Sequence, residues 1–169
     1  MDAAVLVPIY RDSRERLRMV CIRRSPGVIH GGELSFPGGK PDPGDGSLLA
    51  TALREAEEEI GLGTERVRIL AELPPVATGS TCFRIFPFLA AIIPRQWVID
   101  RREVAEVIEI EIETLTDPAM YGEELKQVDQ EPEPRLTPFY RVANDKLWGA
   151  SFRILQPLLP RILAGEWRV

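Results

Sequence analysis

The sequence predicts a mixed α/β sandwich of the α+β kind, with helices laid over a mixed sheet. Three observations predict it. Short apolar segments recur between Gly/Pro-rich breakers, one central stretch has the apolar period of a helix, and a second apolar helical stretch closes the chain. Internal repeats and a linker are both missing from the pattern, so residues 1–169 are expected to form one domain with a sizeable core. The balance of 44% apolar and 28% charged residues is that of an ordinary soluble chain. A net charge of −5 argues against nucleic acid as a partner. The N-terminus lacks the basic-then-apolar order of a secretory signal. The apolar runs also fall short of the roughly 18 residues a membrane span needs. A soluble cytoplasmic protein, without a membrane partner, is the expectation.

The elements follow in order. "AAVLVPIY" reads as a strand, "RDSRER" as a turn and "LRMVCIRR" as a second strand, together a hairpin. Residues 25–46 form a long Gly/Pro-rich loop containing "GGELSFPGGKPDPGDG", and long loops inside domains are often functional. A helix follows, with Ser47 as its N-cap and Gly61 as its stop. Leu49, Ala52, Leu53, Ala56 and Ile60 make one apolar stripe along it. "RVRILAEL" and "CFRIFPFLAAII" read as strands, and Pro87 places the second at an edge or a bulge. Phe83, Phe86 and Phe88 alternate, so they pack the core or line a pocket. "EVIEIEI" alternates as a strand does, although its acidic start would also suit the end of a helix. "QVDQEPEPR" reads as an exposed mobile loop, and "TPFYRV" with "KLWG" as a hairpin. "ASFRILQPLLPRIL" reads as a closing helix, weakened in its second half by Pro157 and Pro160, with Trp148 packed against it. Cys21 and Cys82 are expected to be buried, reduced strand residues, since no Cys/His spacing suggests zinc. His30, the single histidine, is expected to shape the glycine loop.

Chemistry concentrates in "REAEEEIG", residues 54–61. At 100° per residue, Glu58 lies about 60° to one side of Glu55 and Glu59 about 40° to the other. These three share one arc beside the apolar stripe, and Glu57 falls on the far side. Carboxylates converging in this way make a hard oxygen site suited to Mg²⁺ or Mn²⁺. Arg54, four residues before Glu58, is placed to orient it. The alternative is a solvated acidic helix face. The preceding "FPGGK", whose glycines let the backbone come close, favours a site.

On these residues the chain resembles the Nudix hydrolase family. Arg54, Glu55, Ala56, Glu58, Glu59, Gly61 and Leu62 match the end of that family's signature. Gly39 lies one position further upstream than is usual, and the family's upstream Glu finds only Asp45 or Gly46. The extra residue also occurs in the branch of coenzyme A pyrophosphatases, which Arg24, Ser25, Gly32 and Phe36 to Gly39 also resemble. Later segments extend the likeness to roughly residues 3–160. The branch's loop arginine is missing: "PGVIHGG" is one residue shorter than the usual loop.

The resemblance implies metal-dependent hydrolysis of a nucleoside diphosphate linked to another group. For coenzyme A the products would be 3′,5′-ADP and 4′-phosphopantetheine. ADP-ribose, dinucleoside polyphosphates or nucleoside triphosphates are the alternative substrates, and a non-catalytic nucleotide-binding module is a remoter one. Implied metal ligands are Glu55, Glu58, Glu59 and the Gly39 carbonyl, holding Mg²⁺ or Mn²⁺. Glu58, Glu59 or the loop residue Glu103 would take the water's proton, with Arg54 positioning. Arg24, Ser25, Gly38 and Gly39 would meet the substrate, as Arg23 could. A monomer or homodimer is expected.

Overall fold

The strand β1 (Asp2–Arg11) lies at the centre of the protein and divides its core in two. Ala4, Leu6 and Tyr10 face one side, and Val7 and Ile9 the other. Alternate side chains of a strand point to opposite faces, so a strand covered on both sides reads as a near-continuous apolar run. The computed structural model describes residues 1–78, 84–127 and 133–169. Cys82, Phe83 and the middle of "QVDQEPEPR" lie outside them.

β1 pairs antiparallel with β2 (Leu17–Arg24), the expected hairpin, and parallel with β7 (Arg84–Ile92), so the sheet is mixed. Around this centre lie β3 (Leu34–Ser35), β4 (Gly38–Gly39), β5 (Val67–Glu72), β6 (Val76–Ala77) and β8 (Val104–Glu111). The helix α1 (Leu48–Ile60) covers one face through Ala52, Ala56 and Ile60, which meet Leu6, Ile22 and Phe88. The other face is closed by α2 (Gly149–Leu163) and a second sheet of β9 (Tyr121–Lys126), β10 (Arg135–Val142) and β11 (Asp145–Trp148). "EVIEIEI" is β8, a strand. The sandwich expected from the sequence is the fold observed.

Four details differ from the sequence expectation. Pro87 is on an interior strand, not an edge. Its carbonyl accepts from the Leu73 amide at 2.9 Å, so its missing N–H faces the gap where β5 has ended and β6 has not begun. A register shift between Ile69 and Ala71 lies beside it. Pro157 and Pro160 do not end α2, which runs on to Leu163. Both prolines lie on the exposed face, as do Arg153 and Gln156, whose carbonyls lose a partner to water. Leu155, Leu158, Leu159 and Ile162 meanwhile bury the opposite face. Trp148 is half-buried with Lys126 over its ring, instead of packed beneath the helix. β9, "YGEELK", is too polar to show a buried period.

Phe152 is 2% exposed, with ring centroids of Tyr140 and Tyr121 at 5.0 and 6.2 Å. Phe152→Ala is expected to destabilise the protein by about 3–5 kcal/mol. At about 2–4 °C per kcal/mol for a chain of this size, thermal melts will show Tm falling by roughly 10 °C.

Candidate active site

The site begins with how α1 is held. Ser47 Oγ accepts from the Ala50 amide at 3.1 Å, capping the start. Gly61 ends the helix in the left-handed region at φ 69°, its amide donating to Glu57. The buried Ala52, Ala56 and Ile60 fix the helix rotation, which turns Glu55 and Glu59 toward β4.

Both glycines of β4 are required there. Gly38 sits at φ 152°, and a Cβ on it would lie 2.2 Å from the Ala4 carbonyl oxygen. A Cβ on Gly39 would lie 2.4 Å from Glu55 Oε1. The strand thus lets one carboxylate lie against it and binds a second: the Gly38 amide donates to Glu59 Oε2 at 2.9 Å.

Glu59 is only 1% exposed. Its other oxygen, Oε1, is buried without a hydrogen-bond partner among the described residues, and Arg24 Nη1 stands 3.8 Å away. Burial pushes the Glu59 carboxyl up to about 8, against the opposing pull of the Gly38 amide and Arg24. Burial also raises Glu55, opposed by Arg54.

Glu103 reaches the same place on a separate segment. The carbonyls at the end of α1 accept from Val98 and Asp100, the latter onto Glu59 at 3.1 Å. Ser25, buried at the end of β2, donates its amide to the Glu103 carbonyl at 2.8 Å and its hydroxyl to the Arg101 carbonyl at 3.0 Å. Carboxylate oxygens of Glu55, Glu59 and Glu103 consequently lie within 4.8 Å of one another. Three acids with one orphaned buried oxygen form the donor set a hard divalent cation takes.

The remaining predicted residues fall around this cluster. Glu58 is exposed and outside it, accepting from Arg54 Nη1 at 2.9 Å. Arg54 also grips Asp45 through two contacts of 3.0 and 3.1 Å, the Lys40 carbonyl at 3.1 Å and Glu55 at 3.1 Å. Asp45 is a residue the sequence reading left without a role. It anchors Arg54, whose hydrogen bonds hold its carboxyl well below the usual range. The signal was present, since Asp45 stands near the place of the family's upstream Glu. Arg23 turns away from the cluster to Glu106 and Asp145. Arg24 Nε donates to the Ile29 carbonyl, and His30 lies in this loop at φ 59°. Phe88 is in the apolar core beneath α1, and Phe86 is half-buried against that core. Arg24, Gly39, Glu55 and Glu103 line a cavity of about 580 Å³ that extends to Trp148 and α2.

This fold and this cluster define a class. The NUDIX domain family model matches residues 1–130, and the chain belongs to the Nudix family. Nudix enzymes use divalent metals and act on small nucleotide substrates. A Photorhabdus laumondii protein described as an uncharacterized Nudix hydrolase, NudL, is 30% identical over 162 residues, covering 95% of this chain and 84% of that protein. A NudL from Citrobacter koseri is 40% identical over 111 residues, 64% of this chain; the match spans just over half, 56%, of that protein's length. Among solved structures, the Nudix hydrolase RenU from M. smegmatis is similar with TM-score 0.67 and 18% identity, over 99% of this chain and 88% of that one. The NUDIX domain of Shewanella oneidensis NrtR, solved with ADP ribose, is similar with TM-score 0.56 and 18% identity, over 68% and 74%. At such identities the likeness is one of fold. Among the described residues no helix is long and apolar enough to cross a membrane.

Glu59 links the site to stability. Its carboxyl goes from an ordinary 4.5 in the unfolded chain to about 8 in the fold, so between those values the folded protein holds the extra proton. The stability tied to that proton is complete below about 4.5 and is lost as pH rises to about 8. Melts of metal-free protein are expected to show Tm falling from pH 5 to pH 8, and Glu59→Gln should flatten that slope.

Proposed function

We propose that this protein is a Mg²⁺- or Mn²⁺-dependent pyrophosphohydrolase that cuts the diphosphate bond of a nucleoside diphosphate linked to another group. Coenzyme A or a derivative is the proposed substrate, giving 3′,5′-ADP and 4′-phosphopantetheine, with residues 1–169 acting as one unit. The convergence of Glu55, Glu59 and Glu103 beside Gly38 and Gly39 carries the reading. The sequence features "RS", "FPGG" and the extra residue before the acidic helix support the coenzyme A branch.

Glu59, with an orphaned buried oxygen, and Glu55, against Gly39, are the proposed cation ligands, with the Gly39 carbonyl as a further one. The cation would neutralise the diphosphate and lower the pKa of the attacking water. Glu103 is the exposed member of the cluster and sits on a tethered turn, which suits it to accept the water's proton. Arg24, on the cavity wall beside Glu59, offers positive charge to the phosphates. Arg54 and Glu58 act one step back, holding Glu55 in place. Ser25 holds the Glu103 turn from a buried position, so its role is to position and not to touch substrate.

The missing loop arginine favours a second reading, a Nudix pyrophosphohydrolase acting on ADP-ribose, a dinucleoside polyphosphate or a nucleoside triphosphate. A non-catalytic module is opposed by the intact acidic cluster.

Assay of the purified protein with Mg²⁺ or Mn²⁺ against coenzyme A, ADP-ribose and diadenosine polyphosphates, with products identified by mass, tests these readings. Coenzyme A is expected to give the highest kcat/KM. A higher value for another diphosphate would establish the second reading, and inactivity on all of them would sink both. Glu103→Gln is expected to lower kcat by about 10²–10⁴-fold with KM little changed. Ser25→Ala should lower kcat less, by up to about 10²-fold, through misplacement of the Glu103 turn. An unchanged KM in Ser25→Ala would separate this from lost substrate contact.

A further inference from the structure

The cavity that holds the acidic cluster reaches a cation at the start of α2. Arg153 lines it, together with Trp148, Ser151 and Ile154. Several arginines here are neutralised by acids: Arg16 and Arg18 by Asp12, Arg54 by Asp45, Arg161 by Glu166. Arg153 has no ion pair or hydrogen bond among the described residues. The charge that does act on it is of the same sign, from Arg135 at the start of β10. Both arginines line a recess that adjoins the cavity and shares Trp148 with it. The chain carries 26 acidic side chains against 21 basic ones, so acids were available to neutralise this position. A guanidinium on a cavity wall, without an acidic partner among the described residues, makes a place for an anion.

The position is also rigid. Phe152, Ile154 and Leu155 are buried on either side of Arg153, which fixes the backbone of α2 and leaves the guanidinium on the exposed face. Between Arg153 and the acidic cluster the cavity wall is largely apolar, with Val5, Leu34, Ile85 and Ile154. A ligand filling it would present a diphosphate at the acidic cluster, an organic body along the apolar wall and a second anion at α2.

We infer that Arg153 is a specificity-determining residue that binds a phosphate monoester carried by the substrate away from the diphosphate bond. The inference rests on the reading of the cavity as a diphosphate hydrolase site. It gives the pocket a cation in place of the one missing from the "PGVIHGG" loop. A guanidinium recognises a dianionic monoester through paired charge-assisted hydrogen bonds, which a diphosphate ester lacking the monoester cannot provide.

Matched probes test it. Calorimetry on the metal-loaded protein would compare 3′,5′-ADP with 5′-AMP, which differ by one phosphate monoester. The wild type is expected to bind 3′,5′-ADP more tightly by about tenfold or more, the scale of a charged hydrogen bond. Arg153→Gln should erase that difference, Arg153→Lys should keep part of it, and Tm should stay unchanged because the side chain is exposed. No preference in the wild type, or a preference that survives in Arg153→Gln, overturns the inference. A parallel kinetic arm with coenzyme A and its 3′-dephospho form reads the hydrolase proposal separately. Failure to cut either compound defeats that proposal, while the binding preference still decides the role of Arg153.

Discussion

The burial of Glu59 is the constraint around which this site is organised. A carboxylate out of contact with water is costly unless each oxygen finds a partner. One oxygen has the Gly38 amide, and the other has only Arg24 at 3.8 Å. The raised affinity of this group for a proton is the same deficit seen from the side of acid–base chemistry. A proton relieves the deficit at low pH. A divalent cation would relieve it at neutral pH and would also draw Glu55 and Glu103 together. The neighbouring structure serves this arrangement: β4 is glycine because the β1 backbone comes up against Gly38 and the Glu55 carboxylate against Gly39, and α1 is rotated by its apolar stripe.

Three chain segments meet at the cluster, and each is tied to another by backbone hydrogen bonds. The end of α1 accepts from residues 98 and 100, and the Glu103 turn is pinned to Ser25. The strand β2 carries Ser25's neighbour Arg24, which pairs with Val104 of β8 after a register shift at Arg23. Glu103 is therefore a surface acid held as firmly as a residue of an element. On the far side of the helix, Arg54 collects Asp45, Glu55, Glu58 and the Lys40 carbonyl. It couples the loop before the helix to the acidic face, so the position of Glu55 depends on Asp45, which does not line the cavity.

The legible parts of the fold were those with a clean period. β1 and β2, the stripe of α1, its caps at Ser47 and Gly61, and the β10–β11 hairpin all follow from local pattern. The polar strand β9 was missed because its side chains are largely exposed and carry no buried period. Pro87 suggests an edge or a bulge because a proline removes a ladder donor. The sheet instead has a break at that point between two short partners. The prolines of α2 were overruled by the four buried residues on the opposite face of the same turns.

For the site, the residue types and spacing on one helix are enough to point to a metal, and the resemblance to the Nudix family adds the diphosphate. Local spacing places Glu55, Glu58 and Glu59 on one arc and stops there. Only the tertiary structure separates them: Glu59 goes into the core, Glu55 against Gly39, and Glu58 out to Arg54. It alone brings in Glu103 from more than forty residues away, turns Arg23 aside and sets Arg153 in the cavity wall. The reason is physical. Helical period reports which residues share a face, but burial, the approach of another strand and the meeting of distant loops depend on contacts between segments that no local pattern records.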